Sequence, residues 1–164
     1  MVKKKRNQKK KQIRKGNKSS DKKNIFLLSL TIIVIIIDQL TKYLVRNFIR
    51  LNQSIPIIKN IFHLTYRYNT GAGFGILQNQ NLLLIIIGIV VLAFVINFCL
   101  KSKEHAMKIM LSLLSGGIIG NLIDRIIFGH VIDFIDLRIW PVFNVADSVI
   151  TIIVIALIIY LWKK

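Results

Sequence analysis

Four stretches of about twenty mostly apolar residues constrain this chain more than any other feature of it. They run over roughly 25–45, 82–100, 107–128 and 145–162 of a 164-residue sequence. A stretch of that length matches the hydrocarbon thickness of a bilayer. Inside lipid every backbone N–H and C=O must be satisfied within the segment, which makes each stretch an α-helix. The expected fold class is therefore an all-α membrane protein with four transmembrane helices, in one domain over 24–164. The first stretch does not read as a cleaved signal peptide, because it leads into DQLTKYL with no small-residue cleavage site.

Charge sets the expected orientation. The formal net charge is +17, and 12 of the 24 Lys and Arg residues lie in residues 1–23. No folded basic domain accompanies this arm, so nucleic acid is not the expected partner. The arm has almost nothing apolar to bury and is expected to be disordered. Its cations suit the anionic lipids of a cytoplasmic leaflet. Lys101, Lys103 and Lys108 fall between the second and third spans, and Lys163 and Lys164 end the chain. With alternating helices these clusters share one side, which places both termini in the cytoplasm. Residues 46–81 and 129–143 then face outward. Arg46, Arg50, Lys59 and Arg67 lie on that side and depart from the asymmetry.

The segment between the first two spans is too long for a simple turn. Phe62, Leu64, Tyr66 and Tyr68 alternate as in a half-buried strand, and GAGFG marks a tight turn or a close backbone approach. Two further strands and a short interfacial helix would complete a small extracytoplasmic β platform between helices 1 and 2. Cys99 has no cysteine to pair with and reads as a lipid-facing or packing residue.

Ionisable residues in or beside a span are expensive, which makes them functional candidates. Asp38 and Lys42 are four apart on one helix face, a spacing that suits an ion pair. Their structural reading is an anchor fixing the helix end near the interface. Asn121, Asp124 and Arg125 form a cluster facing one way, behind Gly116, Gly117 and Gly120, which permit close helix packing. Asp124 and Arg125 read as structural, each neutralised within the bundle. Asp133 follows the third span. Asp147 lies one turn into the fourth, with Asn144 a turn before it on the same face.

If the connection folds back, Asp133 and Asp147 meet at the outer edge. Two close carboxylates do not both ionise easily. One can then take a proton from water while the other polarises or protonates a carbonyl. The alternative is a pair of helix-end acids, Asp147 lying where a helix start favours negative charge. His63, His105 and His130 are scattered, and the serines lack a placed base. No cluster has metal-ligand spacing, and no cofactor is implied. A small proton-coupled transporter using Asp38, Lys42, Asp124 and Arg125 as a relay, or a non-enzymatic membrane assembly protein, remain as alternatives.

Four segments, in order, resemble one family. DQLTKY at 38–43, NTGAGFG at 69–75, GGIIGNLIDRIIFGHVIDFID at 116–136 and FNVADS at 143–148 are similar to motifs of the bacterial lipoprotein signal peptidases, signal peptidase II. The resemblance implies an aspartyl endopeptidase of the bacterial cytoplasmic membrane. Such an enzyme removes signal peptides from prolipoproteins just before a cysteine carrying diacylglyceryl. It implies Asp133 and Asp147 as the catalytic pair. Asp38, Lys42, Asn69, Gly71, Asn121, Asp124, Arg125 and Asn144 would hold the pair and bind substrate backbone. It implies globomycin-type inhibitors in the same cleft, with membrane lipids as further partners. Phe74, Phe134, Trp140 and Phe143 would flank the cleft, exclude water and receive acyl chains, the alternative being that each is an ordinary interfacial anchor. Gly73 replaces a usual Ala and the Asp133–Asp147 stretch is short, implying a looser turn and altered access.

Overall fold

The computed structural model of the chain describes residues 22–72 and 76–164. The disorder expected of the basic arm up to residue 21, and the roles expected of Gly73 and Phe74, lie outside those residues. Helix α1 covers Val2–Phe48, and its described part, Lys22–Phe48, is the first apolar span. Helices α2 (Asn81–Lys101), α3 (His105–Phe128) and α4 (Val145–Trp162) are the other three. All four are long and apolar enough to cross a membrane. Their outward faces carry exposed Ile32, Ile36, Ile89, Phe94 and Ile155, side chains that only lipid solvates well.

Helix α3 is the centre of the bundle and packs on α1, α2 and α4. Half of its span is buried, against 11% for α2 and for α4. Its sequence explains why. A Cβ on Gly116 would lie 2.7 Å from Val34 Cβ on α1, and one on Gly117 would lie 2.9 Å from Ala146 O on α4. Adjacent glycines thus admit two different helices to backbone contact. On the third side Leu122 of α3 fills the space left by Gly88 of α2. Cys99 packs here, its Sγ 4.0 Å from Ser112 Oγ.

Three antiparallel strands form a platform at one end of the bundle: β1 (Ser54–Ile58), β2 (Phe62–Asn69) and β3 (Val131–Asp136), in that order across the sheet. Asn60 turns the chain between β1 and β2 with φ of 63°, a left-handed conformation that Asn tolerates. The third strand comes from after α3, not from the segment between α1 and α2 as expected. Strand β3 is covered on both faces and so lacks the apolar–polar alternation that marks the sequence of β2. Among the described residues the β2–α2 connection holds turns and no interfacial helix.

Val45 of α1, Ile49 just after it, Tyr66 of β2, and Ile132 and Phe134 of β3 form the core that seats the platform on the bundle. Phe134 is therefore a packing residue rather than the cleft flank expected of it. After β3 the chain doubles back, and Phe143 O accepts from both Phe134 N and Ile135 N. That return delivers residue 144 to the start of α4.

Candidate active site

The site is built on a buried charge cluster at the platform end of α1. Lys42 Nζ lies 2.8 Å from Asp38 Oδ2 and 2.9 Å from Asp124 Oδ2, and its side chain is 2% exposed. The i, i+4 pair expected from sequence is present. It is not an interfacial anchor, because the second acid from α3 and the surrounding helices close over it. Both acids also hold backbone. Asp38 Oδ1 accepts from Ala146 N at 2.9 Å, at the start of α4. Asp124 Oδ2 accepts from Ile132 N at 3.1 Å, at the start of β3. One cluster thus aligns α1, α3, α4 and β3.

Asn121, Asp124 and Arg125, expected to face one way, are shared among three neighbours. Asp124 turns to Lys42. Asn121 stands between clusters, its Oδ1 accepting from Lys42 Nζ at 3.1 Å and its Nδ2 donating to Asp147 Oδ1 at 2.7 Å. Arg125 turns to the β2–α2 connection, its Nη2 donating to Gly71 O at 2.8 Å. Arg125 Nη1 is buried with no hydrogen-bond partner among the described residues. A helix face one turn long is wide enough for neighbours three and four apart to meet different elements.

Asp133 on β3 accepts at both oxygens, from Asn144 Nδ2 at 2.7 Å and from Asn69 Nδ2 at 2.8 Å. Asn144 is also the N-cap of α4, its Oδ1 accepting from Asp147 N at 2.8 Å. One asparagine therefore ties the strand carboxylate to the backbone of the helix carboxylate. The cap is Asn144, and the carboxylate of Asp147 is directed to Asn121 instead of its own helix start. Asn69 forms a local turn, its Oδ1 accepting from Gly71 N at 3.0 Å. Gly71 O then receives Arg125, so the two sides of the site lock together.

Burial pushes the Asp133 carboxyl up to about 7, the charge of Asp147 adds to the rise, and the bonds from Asn69 and Asn144 oppose it. At the far end of the same strand burial also works to raise Asp136. Hydrogen bonds from Thr65 and Arg138 outweigh it and hold that carboxyl below its ordinary value. The two acids of VIDFID thus have opposite characters: one holds a proton near neutrality, the other is a paired structural anion.

A cavity of about 770 Å³ opens onto Asp133, Asp147, Asn121 and Arg125, with Trp140 and Phe143 along one wall. It continues along α4 to Ile150 and Ile152 and reaches β2 at Arg67. Among the described residues no three His, Cys, Asp or Glu side chains gather in a way that could hold a metal ion.

Two supporting residues escape a reading of the sequence. Gln39 Nε2 donates to Asp124 Oδ1 at 2.9 Å and to Gly120 O at 3.1 Å, bracing α1 on α3. Its one signal is its place between Asp38 and Lys42. Asn81 Nδ2 donates to Arg125 O at 3.0 Å, and nothing in the sequence marks it.

The bundle, the platform and a cleft holding two carboxylates are those of a multi-pass membrane peptidase of the aspartyl type. Residues 30–163 match the signal peptidase (SPase) II family, and the chain belongs to that family. It is 48% identical over 136 residues to the lipoprotein signal peptidase of Halothermothrix orenii, covering 82% of this chain and 94% of that protein. It is 39% identical over 140 residues to that of Staphylococcus aureus, covering 82% and 86%. A solved bacterial membrane enzyme superposes with a TM-score of 0.80 at 37% identity, covering 84% of this chain and 88% of that one. A second does so at 0.77 and 36%, covering 85% and 94%. The transporter and assembly readings give way to the peptidase.

Proposed function

We propose that this peptidase acts on prolipoproteins whose cysteine already carries diacylglyceryl, cutting the bond just before that cysteine with Asp133 and Asp147 as its catalytic pair. The observation that carries the proposal is Asn144, which is buried and bonds Asp133 through Nδ2 and the Asp147 backbone through Oδ1, both of which residues line the cavity.

One carboxylate takes a proton from a water whose oxygen attacks the scissile carbonyl carbon. The other, protonated, donates to the carbonyl oxygen. Collapse of the tetrahedral intermediate breaks the C–N bond as a proton passes to the leaving nitrogen. No covalent enzyme intermediate forms and no cofactor takes part. Asn69, Asn121 and Asn144 supply the amide donors that orient the pair. Arg125 and the Asn69–Gly71 turn line the cavity, which supports a role in receiving substrate backbone. Asp38, Lys42 and Asp124 hold the helices that carry these groups. Trp140 and Phe143 exclude water and meet the acyl chains.

The proposed setting is the bacterial cytoplasmic membrane, with the platform and cavity outward and both termini in the cytoplasm. Lys101, Lys103, Lys163 and Lys164 all lie at helix ends remote from the platform, which supports that orientation. The scissile bond of a membrane-anchored substrate reaches the cavity's depth there without leaving the lipid. Globomycin-type inhibitors are expected to compete for this cavity.

The test is cleavage of a diacylglyceryl-modified prolipoprotein by purified protein in detergent. Asp133→Asn and Asp147→Asn should each abolish cleavage while the protein stays folded and still binds substrate. Normal cleavage by either variant removes that residue from the pair.

A further inference from the structure

Arg67 is a cation in an unusual place. It lies on the platform, the side to which the charge asymmetry of the chain does not assign cations. It is exposed on β2 and lines the platform end of the cavity. No acid among the described residues forms an ion pair with it. Among the described residues Asp38 and Asp124 pair with Lys42, Asp136 pairs with Arg138, and Glu104 pairs with Lys164. Asp133 and Asp147 are engaged by asparagine amides.

Its register defines where it points. Arg67 is the direct partner of Asp133 in the β2–β3 ladder. Residues directly opposite in an antiparallel pair have their Cα atoms about 5 Å apart and project from the same face. Arg67 therefore shares the cavity face with Asp133, and so does Asn69, two residues on, which bonds that carboxylate. Among the described residues the guanidinium has no ion-pair partner, and it lies one side-chain length from the proposed reacting centre, on the platform side.

The substrate's course follows from the cavity's two ends. The anchored, apolar part lies along α4 at Ile150 and Ile152, and the product with the new amino terminus leaves over the platform by Arg67 and Gln78. An extended chain advances about 3.4 Å per residue, so the second and third residues counted from the lipid-bearing cysteine pass Arg67. Resting on the prolipoprotein reading above, we propose that Arg67 is a specificity-determining residue that favours acidic over basic residues at those two positions.

The experiment compares diacylglyceryl peptides that differ only in carrying Asp, Asn or Lys at the second and third positions. Wild-type kcat/KM for the Asp peptide should exceed that for the Lys peptide by about three- to tenfold, the range for an exposed pair gained in one and a repulsion met in the other. The ratio should approach one at 1 M salt, where the screening length is about 3 Å. Arg67→Gln should abolish the preference and Arg67→Glu should invert it, each read as the Asp-to-Lys ratio within the one variant. Arg138→Gln, whose guanidinium pairs with Asp136, should leave the ratio unchanged. An Asp-to-Lys ratio that is the same in wild type and both Arg67 variants overturns the proposal while leaving the peptidase reading intact. An equal shift from Arg138→Gln overturns it too, by showing a diffuse field. Failure of the wild type to cleave any of the peptides removes both.

Discussion

Lys42 Nζ and Asn121 Oδ1 are 3.1 Å apart, and that contact dictates which way round the Asn121 amide sits. The oxygen also accepts from Asn144 Nδ2 at 3.1 Å, which leaves the NH2 group to donate to Asp147. A reversed amide would set donor against ammonium and oxygen against carboxylate. Lys42 thus acts at a distance on Asp147 while neutralising Asp38 and Asp124. Lys42→Met leaves both acids buried without their cation, a change that typically costs about 3–5 kcal/mol. A large fall in melting temperature and loss of cleavage are expected. A variant that melts like the wild type would show that the cluster does not depend on the ammonium.

Gly120 sets the approach of α1 to α3. A Cβ there would lie 2.6 Å from Asp38 Oδ2, and Asp38 cannot retreat because Lys42 and Ala146 N both hold it. Gly120→Ala should cost about 1–3 kcal/mol through overpacking and cut cleavage by displacing the start of α4. Gly129 is the useful contrast: it ends α3 at φ of 77°, and a Cβ added there would meet nothing within 4 Å. Gly129→Ala should cost about 1 kcal/mol through its left-handed backbone, with cleavage retained. Thermal unfolding in detergent beside initial rates separates the two, and equal loss of activity would refute the clash.

Much of this is legible in the sequence, and the remainder is not for definite reasons. The four spans are readable because lipid enforces length and hydropathy at once. The Asp38–Lys42 pair is readable because an i, i+4 contact depends only on the helix that contains it. The contact of Lys42 with Asp124 depends on how α1 and α3 are rotated against each other, which no local pattern encodes. Strand β3 escapes notice because burial on both faces removes the alternation by which a strand is recognised. Asp133 and Asp147 stand out as acids in apolar surroundings, but chemistry alone leaves helix-end acids as an alternative. The motif resemblance favours the pair, and the bonds by which Asn144 ties Asp133 to the start of α4 support the proposal that it is catalytic.

Glu104 closes the opposite end of the bundle, where it accepts from Tyr160 and Lys164 at the end of α4. The bond from Lys164, and then that from Tyr160, hold its carboxyl below the ordinary range. Because the group is partly exposed and its partner Lys164 is exposed, salt should screen the attraction. Glu104→Gln should lower the melting temperature slightly at low ionic strength and not at high. Cleavage should be unchanged, since the cavity lies at the other end. Loss of activity here would mean that the two ends are coupled through α4.

The pH dependence follows from Asp133, whose carboxyl is held at about 7 against an ordinary 3.8. Below about pH 7 it keeps a proton, which the proposed catalytic pair needs, and above about pH 7 it has lost that proton. Cleavage should therefore decline as pH rises through about 7. Stability has the same sign: between about pH 4 and 7 the folded protein binds a proton that the unfolded chain has lost, so unfolding is favoured as pH rises. Asp133→Asn removes that dependence. Its melting temperature relative to wild type should rise across the window and level off above it, by a difference on the order of 4 kcal/mol at most. Parallel melting curves for the two proteins from pH 4 to 8 would show that Asp133 titrates no differently in the folded protein, and the upper limb of the cleavage profile would then need another owner.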